Sequence, residues 1–204
     1  ETFRVEMPHV AGVMTEAQIH EFTEGTPFKD GLFGRDGDDY IVGGDAHDSI
    51  SGGSGDDEIY GGAGGDTIMG NSGHDSIFGN KGDDIINGYT GDDYLQGGEG
   101  HDSIDGGMGN DDIYGDKNND TLRGYDGEDT LHGGDGRDSL YGGDGSDRLH
   151  GNKGDDLIYG GKSNDFINGA RGDDTAYGGS GKDVIYGKDG DDYLYGGKSA
   201  DKIY

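Results

Sequence analysis

Large aliphatic side chains recur along this chain with a spacing that neither a helix nor an ordinary strand produces. From Ile41 to Ile203 one stands at every ninth residue, Ile or Leu in each case except Ala176. The residues between them are polar or glycine and keep a fixed order, so Gly34 to Tyr204 divides into nineteen units of nine with no insertion or deletion. A representative unit is Gly52-Gly53-Ser54-Gly55-Asp56-Asp57-Glu58-Ile59-Tyr60, or Gly-Gly-x-Gly-x-Asp-x-U-x with U aliphatic. Positions seven to nine alternate outward, inward, outward, which predicts a short strand with the aliphatic residue facing a core. Glycines at positions one, two and four predict a loop that turns tightly through positive φ. A short fixed period is the mark of a solenoid. Two units return the chain to its start, so the expected body is an all-β stack of eighteen-residue coils, flattened into two parallel sheets with loops along both edges. Nineteen units give about nine and a half coils, on the order of 45 Å long at a strand spacing of roughly 4.8 Å.

Residues 1–33 differ in kind and are expected to form an N-terminal capping segment ahead of the 34–204 repeat body. Residues 2 to 7 alternate like a strand, and Thr15-Glu16-Ala17-Gln18 is a capping-box pattern that opens a short helix through Phe22. Gly25 to Phe33 reads as a worn twentieth unit, with Asp30 in sixth place and Leu32 in eighth. A solenoid needs covered ends. This segment therefore covers the first coil, or docks on the uncovered C-terminal coil of a neighbour and joins copies head to tail into a filament.

Composition alone points away from a folded protein. The chain is 28% hydrophobic, holds 48 glycines in 204 residues and carries a formal charge of −29, a combination usual in disordered sequences. With no cysteine, neither disulfides nor thiolates can offset that charge. Only 15 Lys and Arg stand against 44 Asp and Glu, which excludes a phosphate-backbone partner and so a nucleic-acid role. No apolar stretch is long enough to span a bilayer and no signal-peptide pattern opens the chain. It begins at Glu1, which fits a processed product or a segment of something longer.

The candidate chemistry lies at position six, which is aspartate in every unit: Asp39, Asp48, Asp57, Asp66, Asp75, Asp84, Asp93, Asp102, Asp111, Asp120, Asp129, Asp138, Asp147, Asp156, Asp165, Asp174, Asp183, Asp192 and Asp201. Units two apart stack, so ten of these loops share one edge and nine the other. Unneutralised carboxylates at coil spacing repel. Flexible oxygen coordination with several backbone carbonyls suits Ca²⁺, whereas Mg²⁺ demands a tighter octahedron and Zn²⁺ wants His or Cys. One ion per gap between stacked loops gives roughly seventeen Ca²⁺, about +34 against the formal −29. Metal binding would then supply folding free energy.

Nineteen in-register copies of this nonapeptide closely resemble the calcium-binding β-roll of RTX (repeats-in-toxin) proteins, and the resemblance covers residues 34 to 204. It implies a right-handed parallel β-roll in which each ion is held by position-six carboxylates of two stacked loops and by backbone carbonyls. Carried over, one site would use the carbonyls of Gly53, Gly55, Gly70 and Ser72 with the side chains of Asp57 and Asp75. The resemblance also implies bacterial type I secretion and folding outside the cell, where calcium is abundant. The reading adopted for the chain is an extracellular, non-enzymatic structural or binding module that folds on binding calcium, such as a fibre, surface-layer or adhesin building block. The other reading is the repeat tail of a secreted RTX enzyme or toxin, such as a protease, lipase, epimerase or haemolysin-like protein, with its catalytic part outside this chain. RTX proteins normally continue past their repeats into a cap and secretion signal, whereas this sequence stops on the last letter of a unit.

Other signals carry less. His47, His74 and His101 fill position five at 27-residue intervals, one and a half coils, so successive ones lie on opposite edges and cannot share a metal. His132 and His150 are one coil apart and read as a solvated pair. Doublets such as Asp83-Asp84 and Asp173-Asp174 repeat in identical surroundings, unlike the distinct pair of a glycosidase, and no loop has EF-hand spacing. Tyr141, Tyr159, Tyr177 and Tyr195 at position nine of alternate units predict an outward ladder of four rings on one sheet, with the other sheet's rings sparser. Such a ladder stabilises the sheet by cross-strand stacking or offers carbohydrate rings or another surface a contact.

Overall fold

A computed structural model describes residues 22–204. It is all-β, with no helix among the described residues. After β1 (Phe22–Glu24) and β2 (Gly31–Asp36), a six-residue strand begins every nine residues as far as β20 (Tyr193–Lys198), and β21 (Lys202–Ile203) follows. Odd-numbered strands form one parallel sheet of eleven and even-numbered strands a parallel sheet of ten, each strand pairing with those eighteen residues before and after. The two sheets enclose one column of side chains. Leu32, Ile41 and every ninth residue to Ile185 form a single cluster, fully buried from Ile41 onward. Ala176 keeps its place there, and Leu194 packs against it half-buried.

The strand is twice as long as the alternation at positions seven to nine predicts, because it runs on through positions one, two and three of the next unit. In Asp112–Lys117 the exposure runs out, in, out, in, out, out. Two residues per strand therefore face inward, the aliphatic at position eight and the glycine at position one, and only positions four to six turn. The pairing register reflects a local irregularity: Tyr114 pairs with His132 and Asp116 with Gly134, passing over Gly115 and Gly133.

Glycine at position one also has a different reason from the one expected. Positive φ occurs at positions two and four, as at Gly53 (131°) and Gly55 (120°), and Asn80 (76°) and Tyr89 (76°) accept it at position two. Position-one glycines do not adopt it. There a Cβ on Gly106 would overlap Oδ2 of Asp111 in the same unit. Position one is glycine because the carboxylate occupies the space.

The two-sheet body starts earlier than Gly34. β1 pairs with β3 (Tyr40–Asp45) through Phe22, Thr23 and Glu24, and β2 with β4 (Ser49–Ser54). Phe22, expected to end a helix, opens a strand. Asp30 behaves as the worn unit predicts, its N–H donating to Oδ1 of Asp48 at 2.8 Å. The strand expected over residues 2 to 7, most of the helix from Thr15, and the cap contact that would join copies lie outside the described residues.

Candidate metal centre

Every position-six aspartate from Asp39 to Asp183 is buried, at most 3% exposed, whereas Asp192 and Asp201 are half-buried. Stacking orders one oxygen of each carboxylate. The N–H of Asp57 donates to Oδ1 of Asp75 at 2.9 Å, that of Asp75 to Oδ1 of Asp93 at 2.8 Å, and so on along both edges to Asp183 and Asp201 at 3.1 Å. The other oxygen is left over: at every ninth residue from Asp48 to Asp183, Oδ2 is buried without a hydrogen-bond partner. A buried carboxylate oxygen without a partner is costly, and here the cost recurs in each unit from Asp48 to Asp183.

Those oxygens face a second set. Where a Cβ on Gly61 would stand, Oδ2 of Asp66 lies 2.5 Å away and the carbonyl oxygen of Gly79, one coil on, 2.9 Å away. Glycine at position one keeps that space open for both. In the gap read from the sequence, Ser72 lies against the preceding coil, its carbonyl accepting the Gly55 N–H at 2.8 Å. Gly70 turns its carbonyl toward the space beside Gly52, which Oδ2 of Asp57 also approaches, and Asp75 presents its unpartnered Oδ2. No three His, Cys, Asp or Glu side chains cluster among the described residues, so such a centre is two carboxylates completed by main-chain oxygens. This all-oxygen set fits a hard, irregularly coordinated cation. At the first gap the arrangement differs, because Thr26 donates from its N–H (2.5 Å) and its hydroxyl (2.8 Å) to Oδ2 of Asp30.

Burial shifts these carboxyls. Desolvation raises Asp120 to about 8, Asp75, Asp84 and Asp111 to about 7, and Asp57 and Asp138 to about 6. The N–H donated from the coil before pulls each down, by less than burial raises it, and for most of them neighbouring carboxylates add to the rise.

The fold also segregates charge. Positions five and six, including Lys29 and Asp30, place 28 acids and three bases on the two edges, while the outward faces of the two sheets carry 12 acids and 11 bases. The excess negative charge of the described chain therefore sits where the unpartnered oxygens are.

Two arrangements are not evident from spacing alone. Position five forms its own ladder: Oδ1 of Asp56 accepts the His74 N–H (2.7 Å), and Nδ1 of His74 accepts the Asp92 N–H (2.8 Å). His47 and His101 accept from Gly65 and Asn119 in the same way, so these histidines are spacers in a hydrogen-bonded row. The preference for Asp, Asn and His at position five was the available signal. Aromatic residues are the second case. On the even sheet Tyr141, Tyr159 and Tyr177 stack at 5.3 and 4.8 Å, but Tyr195 turns edge-on at 6.3 Å. The odd sheet, expected to be sparser, carries an unbroken column of ten rings from Tyr40 through Tyr60, Phe78, Tyr94, Tyr114, His132, His150, Phe166 and Tyr186 to Tyr204, with centroids 4.7 to 5.7 Å apart. Positions seven and nine point the same way, so Tyr40, Tyr94 and Phe166 at seven fill the places left by Val42, Gln96 and Asn168 at nine. His132 and His150 lie face to face at 4.8 Å and 7°, and desolvation lowers both pKa values.

Gly106→Ala tests the centre locally. The new methyl is expected to push the Asp111 carboxylate out of its place, with a cost of roughly 1–3 kcal/mol and loss of metal from the adjoining gaps only. Thermal unfolding and calorimetric metal counting would show it; full metal content would contradict the placement of Oδ2.

The family model for the RTX calcium-binding nonapeptide repeat, four copies long, matches residues 33–68, 60–94, 87–122, 105–140, 114–149, 123–156, 141–176 and 177–204. No curated protein matches the chain.

Proposed function

Because this chain belongs to the RTX calcium-binding nonapeptide repeat family, we propose that it is an extracellular module whose folding is gated by calcium and whose role is structural or adhesive. The observation that carries this reading is the row of buried, unpartnered Oδ2 atoms. The residues that would hold calcium are the position-six aspartates of stacked loops, such as Asp57 with Asp75, together with loop carbonyls, one ion to a gap and roughly seventeen in all. Bound calcium supplies positive charge at the edges, where 28 acids meet three bases. With one large apolar residue per nine, the apolar core alone is thin for the chain length it orders. Exported RTX chains meet low calcium inside the cell and millimolar calcium outside, a range suited to weak sites of about 10⁻⁴ to 10⁻³ M.

A non-catalytic role is supported by the repetition along the edges, which sets the position-six carboxylates from Asp48 to Asp183 in closely similar surroundings, and by the groove lined by Phe78, Gln96, Glu99 and Asp116, which lies on the open sheet face. No helix of the described residues is long and apolar enough to cross a membrane. Within this reading the chain is a rigid spacer or building block of a fibre, surface layer or adhesin, and stacked Tyr141, Tyr159 and Tyr177 provide a face for carbohydrate rings. Circular dichroism during a calcium titration tests the gating. A coil spectrum in chelator that becomes β at millimolar calcium is expected, and an unchanged spectrum would refute the proposal.

A further inference from the structure

The outward face of the even sheet is unlike the rest of this acidic chain. Its ten strands carry only four acids and four bases, and eight of the 13 large exposed hydrophobic residues stand on it, among them Ile85 (50% exposed) and Met108 (61%). Exposed apolar residues concentrated on one near-neutral face are a mark of an interface. At about 4.8 Å per strand and about 3.3 Å per residue the face measures roughly 45 by 20 Å, on the order of 900 Å², close to the ~800 Å² that each partner contributes to a standard interface.

We propose that this face pairs with the same face of a second copy, about a two-fold axis that sets the two rolls antiparallel. In that arrangement strand directions agree, so each column of side chains meets itself in reverse order. With the axis between β10 (Ser103–Met108) and β12 (Thr121–Asp126), β2 of one copy faces β20 of the other. Asp36 then meets Lys198, and Asp105 meets Arg123, which already lies 3.1 Å from Asp105 within its own chain. No like charges face each other. Size matches as well: Tyr89 meets Gly143, and Tyr125 meets Gly107. The odd sheet lacks this match, because its 15 charged side chains set Lys81 against Lys153 in the equivalent register. Charge neutrality, opposite-charge pairs and large-to-glycine pairing all favour the even face and the antiparallel sense.

Sedimentation of the full chain in millimolar calcium tests the pairing, with circular dichroism of the same samples reporting the fold separately. A dimer is expected. Asp36→Lys places lysines opposite one another at both ends of the interface and should weaken the dimer about tenfold or more, and adding Lys198→Asp should restore it. Tyr60→Lys, on the odd sheet, should leave it unchanged. A folded chain that stays monomeric at roughly 100 μM, or an assembly indifferent to Asp36→Lys, would overturn the proposal; a chain that calcium does not fold would instead remove the gating on which the calcium condition rests.

Discussion

Without calcium, the roll is expected to be more stable in acid than at neutral pH, the reverse of what an acidic protein with ion-paired carboxylates shows. The sign follows from burial. The position-six carboxyls from Asp48 to Asp183 have folded-state pKa values raised above the 3.8 of an exposed aspartate, to about 6 at Asp138, about 7 at Asp111 and about 8 at Asp120, chiefly by desolvation. Between pH 3.8 and those values the folded chain holds more protons than the unfolded one, so stability falls as pH rises. The contribution is present in full below about pH 4 and is lost through about pH 6 to 8. Calcium competes with those protons, so its affinity should rise across the same window. Circular dichroism in chelator from pH 4 to 8 is the check: β signal at pH 4 that disappears toward pH 8 is expected, and a metal-free chain that gains structure with rising pH would contradict the buried placement of these side chains.

Ile113→Asp is expected to be the most damaging single substitution of the core. Ile113 is fully buried, pairs with Leu95 and Leu131 in the odd sheet, and has no polar partner within the column. A carboxylate there would cost several kcal/mol, of order 4 or more, with no cation to share it. Each coil contacts mainly its neighbours, so the loss should remain local. Hydrogen exchange in calcium should show rapid exchange over about three coils centred on residue 113 and continued protection toward both ends. Uniform loss of protection would mean that the stack unfolds as one unit, and unchanged protection would remove Ile113 from the core.

How much of this was written in the sequence depends on the length scale. The nine-residue period specified which residue types recur at which spacing. Together with the alternation of a strand, it determined the two parallel sheets, the eighteen-residue pairing, the column from Ile41 to Ile185 and the aspartate of every turn, because each is a consequence of translation along one axis. Even Asp30 and Leu32 could be placed, since a worn unit keeps the register. Spacing could not show why a glycine is a glycine. Position two needs positive φ and position one needs room for Oδ2 of the aspartate five residues later, a distinction visible only when backbone and carboxylate are seen together. Strand length escaped for the same reason: position one faces inward with no side chain, so no hydrophobic signal marks it. The ring column on the odd sheet was hidden because it alternates between positions seven and nine, which are different letters of the unit but neighbours on one face. The division between charged edges and near-neutral faces likewise comes from the folding of the coil, which sends positions five and six to the rims and the remaining charges to the sheets. The sequence by itself determined the repeat, the register and the atoms that could meet a cation. The tertiary structure decided which of those atoms are left without a partner, because only stacking commits Oδ1 to a neighbouring N–H and leaves Oδ2 buried with nothing to accept.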